Sequence, residues 1–316
     1  MAPARDDLFH VHRPAMVSEV LRHLFDDARA AGDRLVVDGT VGPGGHTEAI
    51  LASDPEVRVL GLDRDPEVLP LAEARLRADA DRVRLRHASY AALETVLAAE
   101  AEWVGGSAPW GVLLDLGGSS LQFDDPERGF SFQAASVSGD MRFDRTSGDP
   151  TALEWVNRVS ERDLADVLHE LGEEPRARAV ARSLVGARPI RDGAHLAEVV
   201  RRAAWRTRRH DPATRSFQAI RIAVNDEFGH LERGLEAALA SVRPGGRLVV
   251  ISFHSGEDRR VKHAFQRAAR EGRGRVRTRK PERPTDEEVR KNRRARPARL
   301  RAIEVAASER EDGTER

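Results

Sequence analysis

Cysteine is absent from the 316 residues, which excludes a disulfide framework and any thiolate metal site. The eleven histidines show no H-E-x-x-H or similar ligand spacing, so no metal is expected. No apolar run reaches the length of a membrane span, and the opening MAPARDDLFHVHRP lacks the apolar core of a signal peptide. A soluble cytoplasmic protein without a membrane partner is expected. Net charge is lacking too, since 52 basic residues balance 52 acidic ones, but the balance is uneven along the chain. Between residues 259 and 301, 18 basic residues stand against 5 acidic ones, an excess of 13. That excess is a footprint for a polyanion; arginine use in a GC-rich genome would leave the same trace. The length gives room for one large domain plus an insertion or second domain.

What is present is organised around residues 34–51, RLVVDGTVGPGGHTEAIL. A buried strand turns through a glycine-rich loop into a helix that starts near Gly45. Gly42, Gly44 and Gly45 let backbone N–H groups approach a ligand, and the helix points its partly positive N-terminus at the same spot. This is the nucleotide-cradling half of a doubly wound fold, although many glycine turns are plain turns. Asp38 sharpens the reading. D-x-T-x-G-x-G differs from the dinucleotide fingerprint, and an acid at the strand end repels a pyrophosphate but attracts an ammonium or sulfonium. About 25 residues on, VRVLGLDRD is a second buried strand ending in Asp63, placed to accept both hydroxyls of a ribose. A nucleoside with a positive amino-acid tail, S-adenosylmethionine, satisfies both acids.

Taken in order, the chain begins with a loop and an amphipathic helix bearing Val17, Val20, Leu21 and Leu24 on one face. His12, Arg13 and Pro14 read as an active-site flap or as a surface lead-in. Asp65 caps a helix with Pro66 at its first position, running to about Ala78. RVRLRHASY is a third strand, with Tyr90 just beyond it where an adenine would lie, and residues 91–104 form a further helix. The fourth strand, Gly111 to Asp115, leaves through Asp115-Leu116-Gly117-Gly118-Ser119-Ser120-Leu121-Gln122. In doubly wound folds ligands meet outside the carboxyl ends of the strands, and this polar exit is equipped to hold an amino group under attack. A capped Gly-Ser loop is the plainer reading.

From about Phe123 to Thr214 the strand–helix alternation stops. A loop of about 27 residues carries Phe130 and Phe132. Short helices follow at 160–171, with an S-x-x-D cap, at 175–185 and at 194–205, and then the basic turn WRTRRHDPATR. This is a helical insertion suited to substrate recognition. One long helix over SFQAIRIAVNDEFGHLERGLEAALASV resumes the core, and GRLVVISFHS is the fifth strand. His254 at its exit is more often structural than catalytic. A final helix precedes an antiparallel pair near 275–278 and 300–306. The intervening PERPTDEEVRKNRRARP is too polar and proline-rich to pack, so it is expected to be mobile or ordered by RNA. The domain plan is a methyltransferase core over 1–122 and 215–316, interrupted by a helical insertion over 123–214.

The motifs DGTVGPGGHT, GLDRDP, LLDLGGSS, GDMRFD, HDPATRSFQAIRIAVN and PGGRLVVISFHSGEDR together resemble the bacterial small-subunit (16S) ribosomal RNA cytosine-N4 methyltransferases over nearly the whole chain. The resemblance implies an α/β, doubly wound class I (Rossmann-like) methyltransferase core with an all-helical insertion domain. It implies S-adenosylmethionine as cofactor, and 16S ribosomal RNA or the assembled small subunit as partner. The implied activity is N4-methylation of a decoding-centre cytosine. Carried over by motif, Gly44, Gly45, His46, Asp63, Tyr90, Asp115 and Gln122 contact the cofactor. Gly118 and Leu121 depart from the family's usual Val and Pro, which loosens the loop after Asp115.

Methyl transfer needs two reactants held in line rather than a metal. Cytosine N4 is a poor nucleophile because its lone pair feeds the ring. Acceptors on its hydrogens would draw that pair out, and Asp115 and Ser119 are the candidates. The base must be unstacked to reach them, with Phe130 and Phe132 as packing partners. A nicotinamide dehydrogenase gives no reason for Asp38 or the DLGGSS exit. A DNA or protein amino-methyltransferase fits the core but not the insertion. A non-catalytic RNA-binding factor would follow if the Gly118 and Leu121 changes disable the loop.

Overall fold

The structure, a computed structural model, describes residues 13–25, 34–131, 138–204 and 211–306. Two compact units result, one of Met1–Gly117 with Gly229–Arg316 and the other of Gly118–Phe228. His12, Phe132, the arginines of the basic turn at 205–210 and the acidic tail lie outside the described residues.

The first unit opens with α1 (Val17–Phe25), β1 (Arg34–Asp38), α2 (Gly45–Ser53), β2 (Val57–Asp63), α3 (Leu69–Arg75), β3 (Val83–His87), α4 (Leu93–Ala99), α5 (Ala101–Val104) and β4 (Gly111–Asp115). The second unit contributes α6 (Ser120–Asp124), α7 (Ala152–Arg158), α8 (Glu161–Glu170), α9 (Ala177–Gly186), α10 (Gly193–Ala203) and α11 (Ala213–Val224). The chain returns through α12 (Glu227–Ser241) to β5 (Arg247–Ser252), α13 (Ser255–Arg270), β6 (Gly274–Val276), α14 (Asp286–Lys291) and β7 (Arg299–Val305).

The seven strands form one sheet in the order β3-β2-β1-β4-β5-β7-β6. The first five are parallel; β7 runs antiparallel to β5, and β6 antiparallel to β7. Strands buried on both faces read as continuous apolar runs, and Leu35, Val36 and Val37 are each 0% exposed. Alternate residues serve opposite faces. Leu35, Val37, Leu60 and Val112 pack with Leu231, Leu235 and Phe265. Val36, Val59, Leu113 and Val249 pack with Val20, Leu24 and Ile50. The order reverses between β1 and β4, the switch point where doubly wound sheets bind ligands. The first unit is thus the doubly wound α/β sheet implied by the sequence.

The second unit is helical among its described residues, with a core built from Met141, Val156, Leu164, Leu168, Val180, Leu184, Leu196, Val200, Phe217 and Ile220. Local signals set its helix starts. Ser160 accepts from the Asp163 N–H at 3.1 Å, and Thr151 and Glu154 close a reciprocal capping box.

Four expectations change. The unbroken apolar spacing of 216–242 predicts one helix, but α11 and α12 are separate. Asp226 adopts φ 45°, and the Asn225 side chain accepts from Phe143 N–H at 2.8 Å while donating to the Met141 carbonyl at 2.7 Å. Phe217 and Ile220 therefore pack in the second unit's core and Leu231 and Leu235 in the first. The break lies close to the end of the second unit at Phe228. The helix expected from Pro66 begins at Leu69, because Asp65 accepts from Glu67 N–H at 2.9 Å and shapes a turn first. The helix expected over 91–104 is two short pieces that meet at Glu100. The polar segment 281–297 is folded: Thr285 caps α14, Glu282 bridges to Leu300, and Ala295 and Ala298 are buried. Polar bonds and the burial of Ala295 in the core together hold it. No helix among the described residues is long and apolar enough to cross a membrane.

Candidate functional site

Three strands that lie side by side, β2, β1 and β4, each end in an aspartate: Asp63, Asp38 and Asp115. Burial pushes all three carboxyls above their ordinary value, Asp38 and Asp63 to about 6. Desolvation disfavours the charged form, and the neighbouring carboxylates add to it: Asp38 raises both others, and Glu257 raises Asp115 further.

Asp38 is 0% exposed. Its oxygens accept from Thr40 N–H at 3.2 Å and from the Thr47 hydroxyl at 2.7 Å. It therefore ties the glycine loop to α2. The loop itself carries Gly44 with φ 87°, a left-handed conformation natural to glycine, at the N-cap of α2. Asp63 accepts from Gly42 N–H and Asp65 N–H, each at 2.8 Å, one on each carboxylate oxygen. These bonds pull its pKa down against the larger effect of burial. Each oxygen retains a second lone pair, the pattern that two vicinal hydroxyls require.

Asp115 is anchored by its backbone, whose N–H donates to Thr40 Oγ1 at 2.7 Å. Its Oδ1 is buried without a hydrogen-bond partner among the described residues, and Oδ2 lies 3.5 Å from His46 Nδ1. Burial lowers the His46 pKa to about 4, the hydrogen bond to the Ala15 carbonyl opposes this, and Arg75 lowers it further. His46 is therefore neutral. Its Nε2, 2.8 Å from the Ala15 oxygen, carries the proton. The Nδ1 lone pair is left facing Asp115. The orphaned Oδ1 beside this pair is an acceptor position that a ligand donor can fill. Tyr90 is buried (8% exposed) beyond β3.

In the second unit, Ser119 and Gln122 form the capping box of α6. The Ser119 hydroxyl accepts from Gln122 N–H at 3.4 Å, and Gln122 Oε1 accepts from Ser119 N–H at 2.7 Å. Phe130 is buried between Phe123 and Phe143, with ring centroids at 5.9 and 5.1 Å. It therefore packs the loop's own core.

Sequence reading passed over Glu257 and Gly234. Glu257 is 3% exposed and accepts from Phe253 N–H at 2.8 Å, closing with His254 the capping box of α13. The spacing His254-x-x-Glu257 was the available signal, hidden because histidine is an uncommon N-cap. His254 is structural here. Gly234 lies against Tyr90, a neighbour no local pattern announces. No cluster of three His, Cys, Asp or Glu able to hold a metal occurs among the described residues.

Residues 9–306 match the profile of the MraW methylase family. The chain belongs to this family. It is 44% identical over 322 residues to a protein of Acidothermus cellulolyticus, covering 95% of each chain. It is also 44% identical over 303 residues to one of Thermotoga neapolitana, covering 94% of this chain and 96% of the relative. A protein of Desulfovibrio desulfuricans is 43% identical over 305 residues, covering 90% and 91%. All three relatives bear the name ribosomal RNA small subunit methyltransferase H.

Proposed function

We propose that this protein transfers a methyl group from S-adenosylmethionine to the exocyclic N4 amine of a cytosine in small-subunit (16S) ribosomal RNA. The observation that carries the reading is the trio Asp38, Asp63 and Asp115. Among the described residues its one ionisable cationic partner within ion-pair distance is His46, which is neutral. Burial disfavours the charged form of all three carboxyls, and a ligand that brings positive charge favours it again. The bound cofactor supplies an electrophilic methyl on a sulfonium, together with an ammonium.

The chain's own residues divide the work. Asp63 accepts the ribose hydroxyls on its remaining lone pairs, and the Tyr90 ring supports the adenine. Gly44 supplies the left-handed turn that aims the start of α2 at the ligand. His46 Nδ1 and Asp115 accept N–H donors. Asp115, in its ionised form, accepts an N4 hydrogen of cytosine. That draws the lone pair out of the ring and takes up the charge that develops on nitrogen. Gln122 fixes Ser119 through the capping box. The helical unit recognises the RNA, either free or within the assembled small subunit. The substrate places the reaction in the cytoplasm.

Incubation of ribosomal RNA and of small subunits with methyl-labelled cofactor, followed by nucleotide mapping, tests the reading. Label on the N4 of a single small-subunit cytosine is the expected result. Label on another base, on DNA or on protein would overturn it.

A further inference from the structure

We propose that Glu288 and Asn292 are positioning residues for the cofactor site, latching the Arg13–Met16 turn against the glycine loop. The inference rests on the reading of Gly45 and His46 as part of that site.

The turn touches the site at two points. The Ala15 carbonyl receives the His46 Nε2 proton at 2.8 Å. Pro14 packs over Gly45 so closely that a Cβ there would stand 3.0 Å from its Cγ and Cδ. The first contact decides the chemistry His46 presents. With Nε2 engaged as donor, Nδ1 must face Asp115 as a lone pair. Without Ala15 the ring is free to turn or to change tautomer.

Among the described residues the local backbone bond at this turn is from Val20 N–H to the Met16 carbonyl at 2.9 Å, which joins its end to α1. Met16 sits at φ 57°, a left-handed conformation that a methionine does not keep unaided. Its side chain is 0% exposed, so it cannot relax outward. The restraint comes from residues more than 270 positions away. Glu288 Oε1 accepts the Met16 N–H at 2.6 Å, and Asn292 Nδ2 donates to the Arg13 carbonyl at 3.0 Å. The two bonds bracket the turn at both ends.

The use of Glu288 is selective. Thr285-x-x-Glu288 has the spacing of a capping box, and Thr285 Oγ1 accepts from Glu288 N–H at 3.2 Å. In a box the glutamate would return to the Thr285 N–H. Here its carboxylate reaches Met16 instead, forgoing the local bond. Burial and Glu19 both raise its pKa, and the Met16 N–H opposes them.

The test compares Glu288→Ala, Glu288→Gln and Asn292→Ala in the full chain. Calorimetry with S-adenosylhomocysteine gives affinity, steady-state kinetics gives kcat and the cofactor KM, and thermal melts report folding. Both alanine variants should bind about tenfold more weakly, with the cofactor KM rising alike and kcat changing by less than about twofold. Glu288→Gln should recover the affinity, because its amide carbonyl accepts the same N–H. If the wild type does not bind the probe, the cofactor reading falls and takes the latch with it. If the wild type binds and the folded alanine variants match it, the latch alone is overturned. Should Glu288→Ala fail to fold, Asn292→Ala decides by the same criterion.

Discussion

The ring of Tyr90 occupies the space where Gly234 would carry a side chain. A Cβ built on Gly234 would stand 2.7 Å from Cε2 of the ring and nearer still to Cδ2. Glycine inside a helix costs roughly 0.5–1 kcal/mol relative to alanine, so its presence in α12 reflects the ring. Gly234→Ala must displace Tyr90 from its seat, and overpacking of this kind typically costs about 1–3 kcal/mol. If the Tyr90 ring supports the adenine, cofactor affinity should fall in the folded variant, while Ala at the neighbouring exposed Arg233 leaves it unchanged. Calorimetry and melting curves on the two variants check this. Unaltered affinity in Gly234→Ala would separate Tyr90 from the cofactor.

If Asp63 accepts the ribose hydroxyls, cofactor binding depends on pH. A carboxylate accepts hydroxyl donors on both oxygens only when ionised, and burial raises its pKa to about 6. For an acid whose pKa is raised, protonation takes over as pH falls through 6. Affinity should therefore be level above about pH 7 and decline toward tenfold per unit below 6. The apparent midpoint belongs to Asp63 and Asp38 together, since the two are coupled and both lie near 6. Asp63→Asn should bind weakly at every pH and lose the acid limb that Asp63 contributes. Binding isotherms from pH 5 to 8 that are flat for the wild type would remove Asp63 from the ligand.

Asp115 separates binding from turnover. Asp115→Asn keeps the shape and removes one charge beside Asp38 and Glu257, both of which raise the Asp115 pKa. Folding stability should not suffer. If Asp115 takes up charge that develops on N4, kcat should fall by about 10²–10³, the usual loss for one transition-state acceptor or donor, with a much smaller change in cofactor affinity. Equal losses in both, measured side by side, would make Asp115 a cofactor ligand only.

The parts of the fold legible in the sequence are those with local causes. Strands capped by an acid, such as Leu35 to Asp38 and Gly111 to Asp115, announce themselves by a closed apolar run followed by charge. The Ser160 cap is likewise a matter of three residues. The break at Asn225 was not legible, because no glycine or proline marks it; the side chain is recruited by Met141 and Phe143, over 80 positions away. The basic excess after residue 259 promises more free charge than the fold leaves, for a similar reason. Arg267 and Arg273 pair with Glu236, Arg260 with Glu232, Arg277 with Glu304, and Arg299 and Arg301 with Asp258. These acids lie outside the basic stretch and fold onto it. At the site, the aspartates could be named from their strand ends, but not their division of labour, since the burial of Asp38 depends on Thr47 reaching it.

What remains of the basic surface gives the last prediction. Arg290, Arg293 and Arg296 are exposed on the segment around α14, whereas many of the other arginines in the stretch are engaged by acids. The basic turn with Arg206, Arg208 and Arg209 lies outside the described residues, so the test falls on this segment. If these three side chains bind phosphates, replacing all three with Ala should weaken RNA binding and flatten its salt dependence. The slope should drop by roughly 0.7–0.9 log units for each phosphate no longer neutralised. Lysine keeps the charge but not the forked geometry, so the triple Lys variant should retain more binding than the triple Ala variant. Cofactor affinity should be the same in all three proteins, because none of the three arginines bonds to the Arg13–Met16 turn or the glycine loop. Filter binding at several salt concentrations measures the slope. An unchanged slope in the Ala variant would reduce these arginines to a solvated face and move the RNA-binding surface elsewhere on the protein.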